Sequence, residues 1–158
     1  MNNPSAFYEN HKGKLFAYLM RMTRDYHLSS DIMQESFVRY FEHYGKEDTL
    51  SLLYTIARNI LFDHIRRQKR SILIDKDPGD CYLDQDRVLM AREEYRRVLL
   101  ALQKLEEDER NVLSLVLSGD FCYREIATIS GISEANVKVK VHRARLKLKK
   151  MLEGDVNE

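Results

Sequence analysis

The chain has 158 residues, 44% hydrophobic and 32% charged, which suits one or two small packed domains with well-solvated surfaces. Its net charge is only +1, so any affinity for nucleic acid has to come from how charge is distributed, not from its total. No apolar run approaches the roughly 20 residues of a bilayer span. The N-terminal MNNPSAFYENHKGK lacks the apolar core of a secretory signal, and Cys81 and Cys122 form no CxxC pair, so a reduced, cytoplasmic setting is expected.

With two prolines, six glycines and no sustained apolar–polar alternation, the chain reads as all-helical. Residues 5–24 place Leu15, Phe16, Leu19, Met20 and Met22 at helical spacing, and Gly13 is expected to set off a short N-terminal turn. Tyr26 to Ser30 reads as a connection, with Ser29 or Ser30 capping a helix near 30–44 and Gly45 stopping it. A polar loop, Lys46 to Thr49, leads to a helix from about Leu50 to Lys69 with Leu53, Ile56, Ala57, Ile60 and Leu61 on its buried side. Asp63 and Arg67 on that helix have the spacing of a plain i,i+4 pair.

Composition then shifts. Ser71 to Arg92 holds Pro78-Gly79 and five aspartates, a linker signal that divides the chain into residues 1–70, a flexible acidic linker over 71–92, and a second domain over 93–153. Helix resumes near Leu89, with Tyr95, Val98, Leu99 and Leu102 inward. Acids Glu106 to Glu109 open the next helix, filled by Val112, Leu113, Leu115, Val116 and Leu117 and ended by Gly119. The acidic end, Glu153 to Glu158, is expected to fray.

The most informative stretch is Cys122 to Leu152. A short helix, Tyr123 to Ser130, meets Gly131, where a left-handed turn is expected. Ser133 then caps a longer helix. This is the pattern of a helix-turn-helix. Val137, Val141, Ala144, Leu148 and Leu152 share one stripe of the long helix at about 100° per residue. Asn136, Lys138, Val139, Lys140, His142 and Arg143 lie opposite, and from Ser133 to Leu152 the only acid is Glu134. Such a face suits a DNA groove, with cations for phosphates or guanine, Asn for adenine and Val for a thymine methyl. A solvated basic helix would show the same composition.

Three stretches in this order and spacing, DIMQESFVRYF (31–41), LLYTIARNILFDHIRR (52–67) and YREIATISGISEANVKVKVHRARLKL (123–148), resemble the bacterial RNA polymerase sigma factors of the extracytoplasmic-function (ECF) type, within the sigma-70 family. The resemblance covers nearly the whole chain. It implies two small helical domains, the first corresponding to sigma region 2 and the second to region 4. It further implies that Asp31, Gln34, Glu35 and Arg39 dock on the clamp helices of core RNA polymerase. Asp31 and Gln34 could equally serve only to cap their helix. Tyr54, Arg58, Asn59, Arg66 and Arg67 would open and read the −10 promoter element, although Tyr54 could instead be an aromatic at the core edge. Lys138, Val139, His142 and Arg143 would face the bases of the −35 element, with Lys140 and Arg145 on phosphates.

The resemblance also implies an anti-sigma partner and a linker that threads polymerase channels, a role for which its acidity is no better evidence than for a solvated tether. The chain departs from the family at three points: Leu52 stands where Trp is common, the loop before Leu50 is short, and Cys122 replaces a Ser cap. No phosphate loop, HExxH or nucleophile motif is present, so no cofactor, metal or enzymatic activity is expected. Two other functions fit parts of the sequence: a stand-alone helix-turn-helix regulator binding duplex DNA as a dimer, and a nucleic-acid-processing enzyme built around Asp63 and His64.

Overall fold

The computed structural model describes residues 3–43, 49–70 and 89–156, which form seven helices and, among the described residues, no strand. Helix α1 spans Pro4–Thr23. Asn3 caps it, its side chain accepting from the Ser5 N–H, and Pro4 occupies the first turn, where its missing N–H costs nothing. The helix runs unbroken through Gly13, contrary to the expected turn. A helical glycine costs only about 1 kcal/mol, and Phe7 is anchored before it against Tyr40, the rings stacked at 4.9 Å.

Helix α2 spans Tyr26–His43, four residues earlier than expected. The turn is carried by Arg24, left-handed at φ 54°, and Asp25, whose carboxylate accepts from the Leu28 N–H at 3.1 Å. Asp25 is thus the cap, while Ser29 is buried inside the helix against the Thr23 hydroxyl at 2.7 Å. The stop expected at Gly45 lies outside the described residues. Helix α3, Leu50–Arg70, buries Leu53, Tyr54, Ala57 and Leu61.

The segment expected as a linker lies outside the described residues up to Val88, and helix begins at Leu89. Helix α4 is Leu89–Gln103 and α5 is Glu107–Ser118, the latter closed by left-handed Gly119 at φ 78°. Leu99 and Leu102 are buried as expected, but Tyr95 and Leu117 are exposed. Helices α6, Tyr123–Ser130, and α7, Glu134–Val156, follow. The end expected to fray from Glu153 is helical through Val156.

Helices α1–α3 pack on one another, as do α4–α7, and the two groups also dock together through α1 on α4 and α5 and through α3 on α6. One hydrophobic core therefore crosses between them, joining Leu15, Tyr18 and Tyr54 with Val112, Leu115 and Ile126. A second, smaller cluster sets Met20 against Leu99, Leu102, Leu113 and Ala144.

Candidate nucleic-acid interface

The helix-turn-helix forms as its local sequence dictates. The Glu125 carboxylate accepts from the Cys122 N–H at 3.1 Å, holding the start of α6. Gly131 is left-handed at φ 69°, a conformation that strains any residue with a Cβ. The Ile132 N–H reaches back to the Ala127 carbonyl at 3.2 Å, and the Ser133 hydroxyl caps α7 by accepting from the Asn136 N–H at 3.1 Å.

Val137, Val141 and Ala144 are buried behind α7 and fix its rotation. That turns Asn136, Lys138, Val139, His142, Arg143 and Arg145 outward, all exposed. Val139 keeps 45% of its surface accessible, a large value for a valine on a packed helix. Lys140 differs from its neighbours. It is half-buried and leans 3.8 Å from the Asp108 carboxylate of α5, so a phosphate has to compete with that partner. Lys147 is also tied inward, donating to buried Glu109 at 2.7 Å. What remains toward solvent is a basic face with one amide, one imidazole and one exposed aliphatic patch, able to grip phosphates and read base edges.

The second group of expected residues meets at a cleft of about 520 Å³ between α2 and α3. Asp31, Glu35 and Arg39 line it from α2, and Asn59, Arg66 and Arg67 from α3. The residues expected to dock on polymerase and those expected to meet DNA thus share one surface. Gln34 is exposed on α2 but does not line the cleft. Ion pairs pre-shape the walls: Glu35 holds Arg39, while Asp63 holds Arg66 at 3.3 Å and Arg67 at 3.1 Å. Asp63 therefore acts as an i,i+4 partner, as its spacing suggests. All these pairs are solvent-accessible and weak, so an external partner can displace them.

Tyr54 and Arg58 lie elsewhere. Arg58 is half-buried, with its guanidinium 4.3 Å from the centroid of the Phe62 ring. Tyr54 is wholly buried, its ring 5.5 Å from that of Tyr18 and 4.8 Å from that of Phe121, which belongs to the other helical group. Burial pushes its hydroxyl up to about 12. No base can reach Tyr54 in this arrangement.

Residues that no local pattern marks hold the two groups together. Arg110 is buried on α5 and donates to the carbonyls of Leu102, Gln103 and Leu105 at the end of α4 and of Met22 at the end of α1, at 2.8 to 3.2 Å. A cation at two helix C-termini satisfies carbonyls that have no partner within their own helices. Among the described residues, no cluster of three or more His, Cys, Asp or Glu is placed to hold a metal. None of their helices is long and apolar enough to cross a membrane.

Comparison with known proteins puts these surfaces in a family. Residues 7–71 match the model of sigma-70 region 2, and residues 95–148 match that of sigma-70 region 4. The ECF RNA polymerase sigma factor SigM of Bacillus subtilis is 30% identical over 156 residues, covering 96% of each chain. The chain belongs to the ECF sigma factors of the sigma-70 family. It is thus a transcription initiation factor that directs RNA polymerase to promoters, and a stand-alone dimeric regulator is not favoured. The B. subtilis sigma factor YlaC is 31% identical, the alignment covering 90% of this chain and 88% of YlaC. The fold matches the sigma factor RpoE bound to the anti-sigma factor NepR of Bartonella quintana, with a TM-score of 0.80 at 20% identity, over 94% of this chain and 96% of that one. It also matches CnrH bound to the cytosolic domain of CnrY, with a TM-score of 0.71 at 23% identity, over 98% and 92% of the chains.

Proposed function

We propose that this sigma factor works through two surfaces of unequal role: α7 reads the −35 element as duplex, and the α2–α3 cleft docks on core polymerase and engages the −10 element. The observation that carries the reading is the exposed basic face of α7, held by buried Val137, Val141 and Ala144 at the end of a glycine-turned helix pair. Lys138, Val139, His142 and Arg143 specify sequence, and Arg145 positions the helix on the backbone, joined by Lys140 once it leaves Asp108. Asp31, Gln34, Glu35 and Arg39 supply polymerase contacts, and Asn59, Arg66 and Arg67 the nearby DNA contacts, with Arg58 and Tyr54 joining when the core around them opens. Binding of this kind is bivalent, so neither surface alone has to bind tightly.

The reading places the protein in the cytoplasm, without catalytic activity or cofactor. It also gives the protein an anti-sigma partner covering the docking surfaces. The support is that RpoE, of the same fold, was solved with the anti-sigma factor NepR, and CnrH with the cytosolic domain of CnrY.

The test is run-off transcription with purified core polymerase, on promoters mapped from transcription starts after overexpression. Arg143→Ala should relax base preference at one −35 position, costing about 1–3 kcal/mol there. Arg145→Ala should weaken all promoters alike and lower the salt slope by about one. Failure of the wild-type chain to bind core or to initiate at any promoter overturns the reading.

A further inference from the structure

Three consecutive carboxylates in the first turn of α5 each meet a lysine. Glu107 meets Lys69 of α3 at 3.2 Å, Asp108 meets Lys140 of α7 at 3.8 Å, and Glu109 meets Lys147 of α7 at 2.7 Å. Lys140 and Lys147 are seven positions apart, close to two full turns, so they lie on one flank of α7. That flank borders the outward face: Asn136 stands four residues before Lys140 and Arg143 three after it, and both are exposed. Two lysines at the edge of the proposed reading face are therefore engaged by carboxylates of another helix.

The two pairs on α7 differ in how firmly they hold. Glu109 is buried and its bond to Lys147 is short, so withdrawing that lysine would leave a charge buried and unpaired, at heavy cost. Lys147 stays with α5. Asp108 keeps 65% of its side chain exposed, and 3.8 Å is too long for a hydrogen bond. Water solvates this carboxylate as soon as its lysine leaves, so the pair is weak. Of the two lysines, Lys140 is the one that a phosphate can take.

We propose that Asp108 sets the strength of the −35 contact: it competes with the DNA backbone for Lys140, and so lowers the affinity of α7 for every duplex without altering which bases it prefers. The proposal rests on the −35 reading above and deepens it. A phosphate contact carries no sequence information, so the carboxylate that opposes it carries none either. The result is a deliberately moderate grip, which suits a protein whose two DNA contacts reinforce each other only on one polymerase. Because the pair is exposed, salt screens it, and its opposition fades as ionic strength rises.

The test uses holoenzyme assembled from core polymerase and the full chain. It is titrated onto a mapped promoter and onto the same promoter with one −35 base pair changed. Glu107 and Glu109 keep the start of α5 acidic, so the fold does not depend on Asp108. Asp108→Asn should tighten binding to both promoters about two- to fivefold at low salt. The ratio between the two should stay the same, and the gain should shrink as salt is raised. In the Lys140→Ala background the same substitution should gain less than about 1.5-fold, the part owed to plain repulsion between a carboxylate and DNA. A gain as large in that background as in the wild type overturns the proposal, as does no gain at all or a change in base preference. Loss of affinity on Arg145→Ala but not on Lys140→Ala means that Lys140 meets no phosphate, which overturns the proposal and leaves the −35 reading standing. If neither substitution, nor Arg143→Ala, changes binding, the −35 reading itself fails, and the proposal with it.

Discussion

Cys122 shows what one atom does at a helix start. It is exposed and free at the N-cap of α6, a position that favours Ser, Thr, Asp or Asn. A thiol is a poor acceptor for the orphan N–H groups of the first turn. The Glu125 carboxylate still satisfies the Cys122 N–H, so the start is weakened and not lost. Cys122→Ser should stabilise the protein by about 0.5–1 kcal/mol in urea unfolding, with no change in promoter choice. Tyr54 carries the opposite lesson. Its sequence neighbours fit a DNA-reading helix and a core edge equally well, because α3 carries apolar and basic residues along its whole length. Only the packing of Phe121 against its ring decides between them.

At the scale of the element, α5 was the least legible. Its acids Glu107, Asp108 and Glu109 announce a helix start, and that much is local. Yet Glu109, Arg110 and Asn111 are all buried, a wide arc of one helix, since α1, α6 and α7 pack around it. Polar residues in a run look solvated until their partners are known, and those partners are distant carbonyls and amides. Arg110→Met should cost roughly 2–4 kcal/mol, because it removes four bonds to carbonyls at a largely buried junction; the Met22 and Leu102 carbonyls keep the Gln103 amide and the Leu105 N–H, while those of Gln103 and Leu105 lose the guanidinium. Arg110→Lys should recover only part of this, since an ammonium cannot fork to several acceptors as a planar guanidinium does. Denaturant midpoints of the two variants check the ordering. Helix α7 behaves oppositely: its stripe, its cap at Ser133 and its turn at Gly131 were all readable, because each rests on near neighbours in the chain.

For the whole molecule, the docking of the two helical groups has a signature in pH. Tyr18 and Tyr54 sit at the contact, and burial raises both hydroxyls above their ordinary value near 10, Tyr54 to about 12. A raised phenol favours the neutral form in the fold. Stability is therefore intact below pH 10 and falls as pH rises from there toward 12, where the unfolded chain ionises first. Urea unfolding from pH 9 to 11.5 should show this decline, and Tyr54→Phe should flatten it. An unchanged slope in that variant would mean that Tyr54 is solvated in the free protein.

Helical class, the glycine turn, the basic face and membership in a two-region family were all determined by the chain's own order of residues. Each rests on contacts between positions one to five apart, or on motifs read in succession. Where Tyr54 points, what Arg110 holds and whether the two halves touch were decided only by tertiary structure. The reason is distance along the chain. Tyr18 and Asn111 are 93 positions apart, and no local spacing carries information about a bond between them.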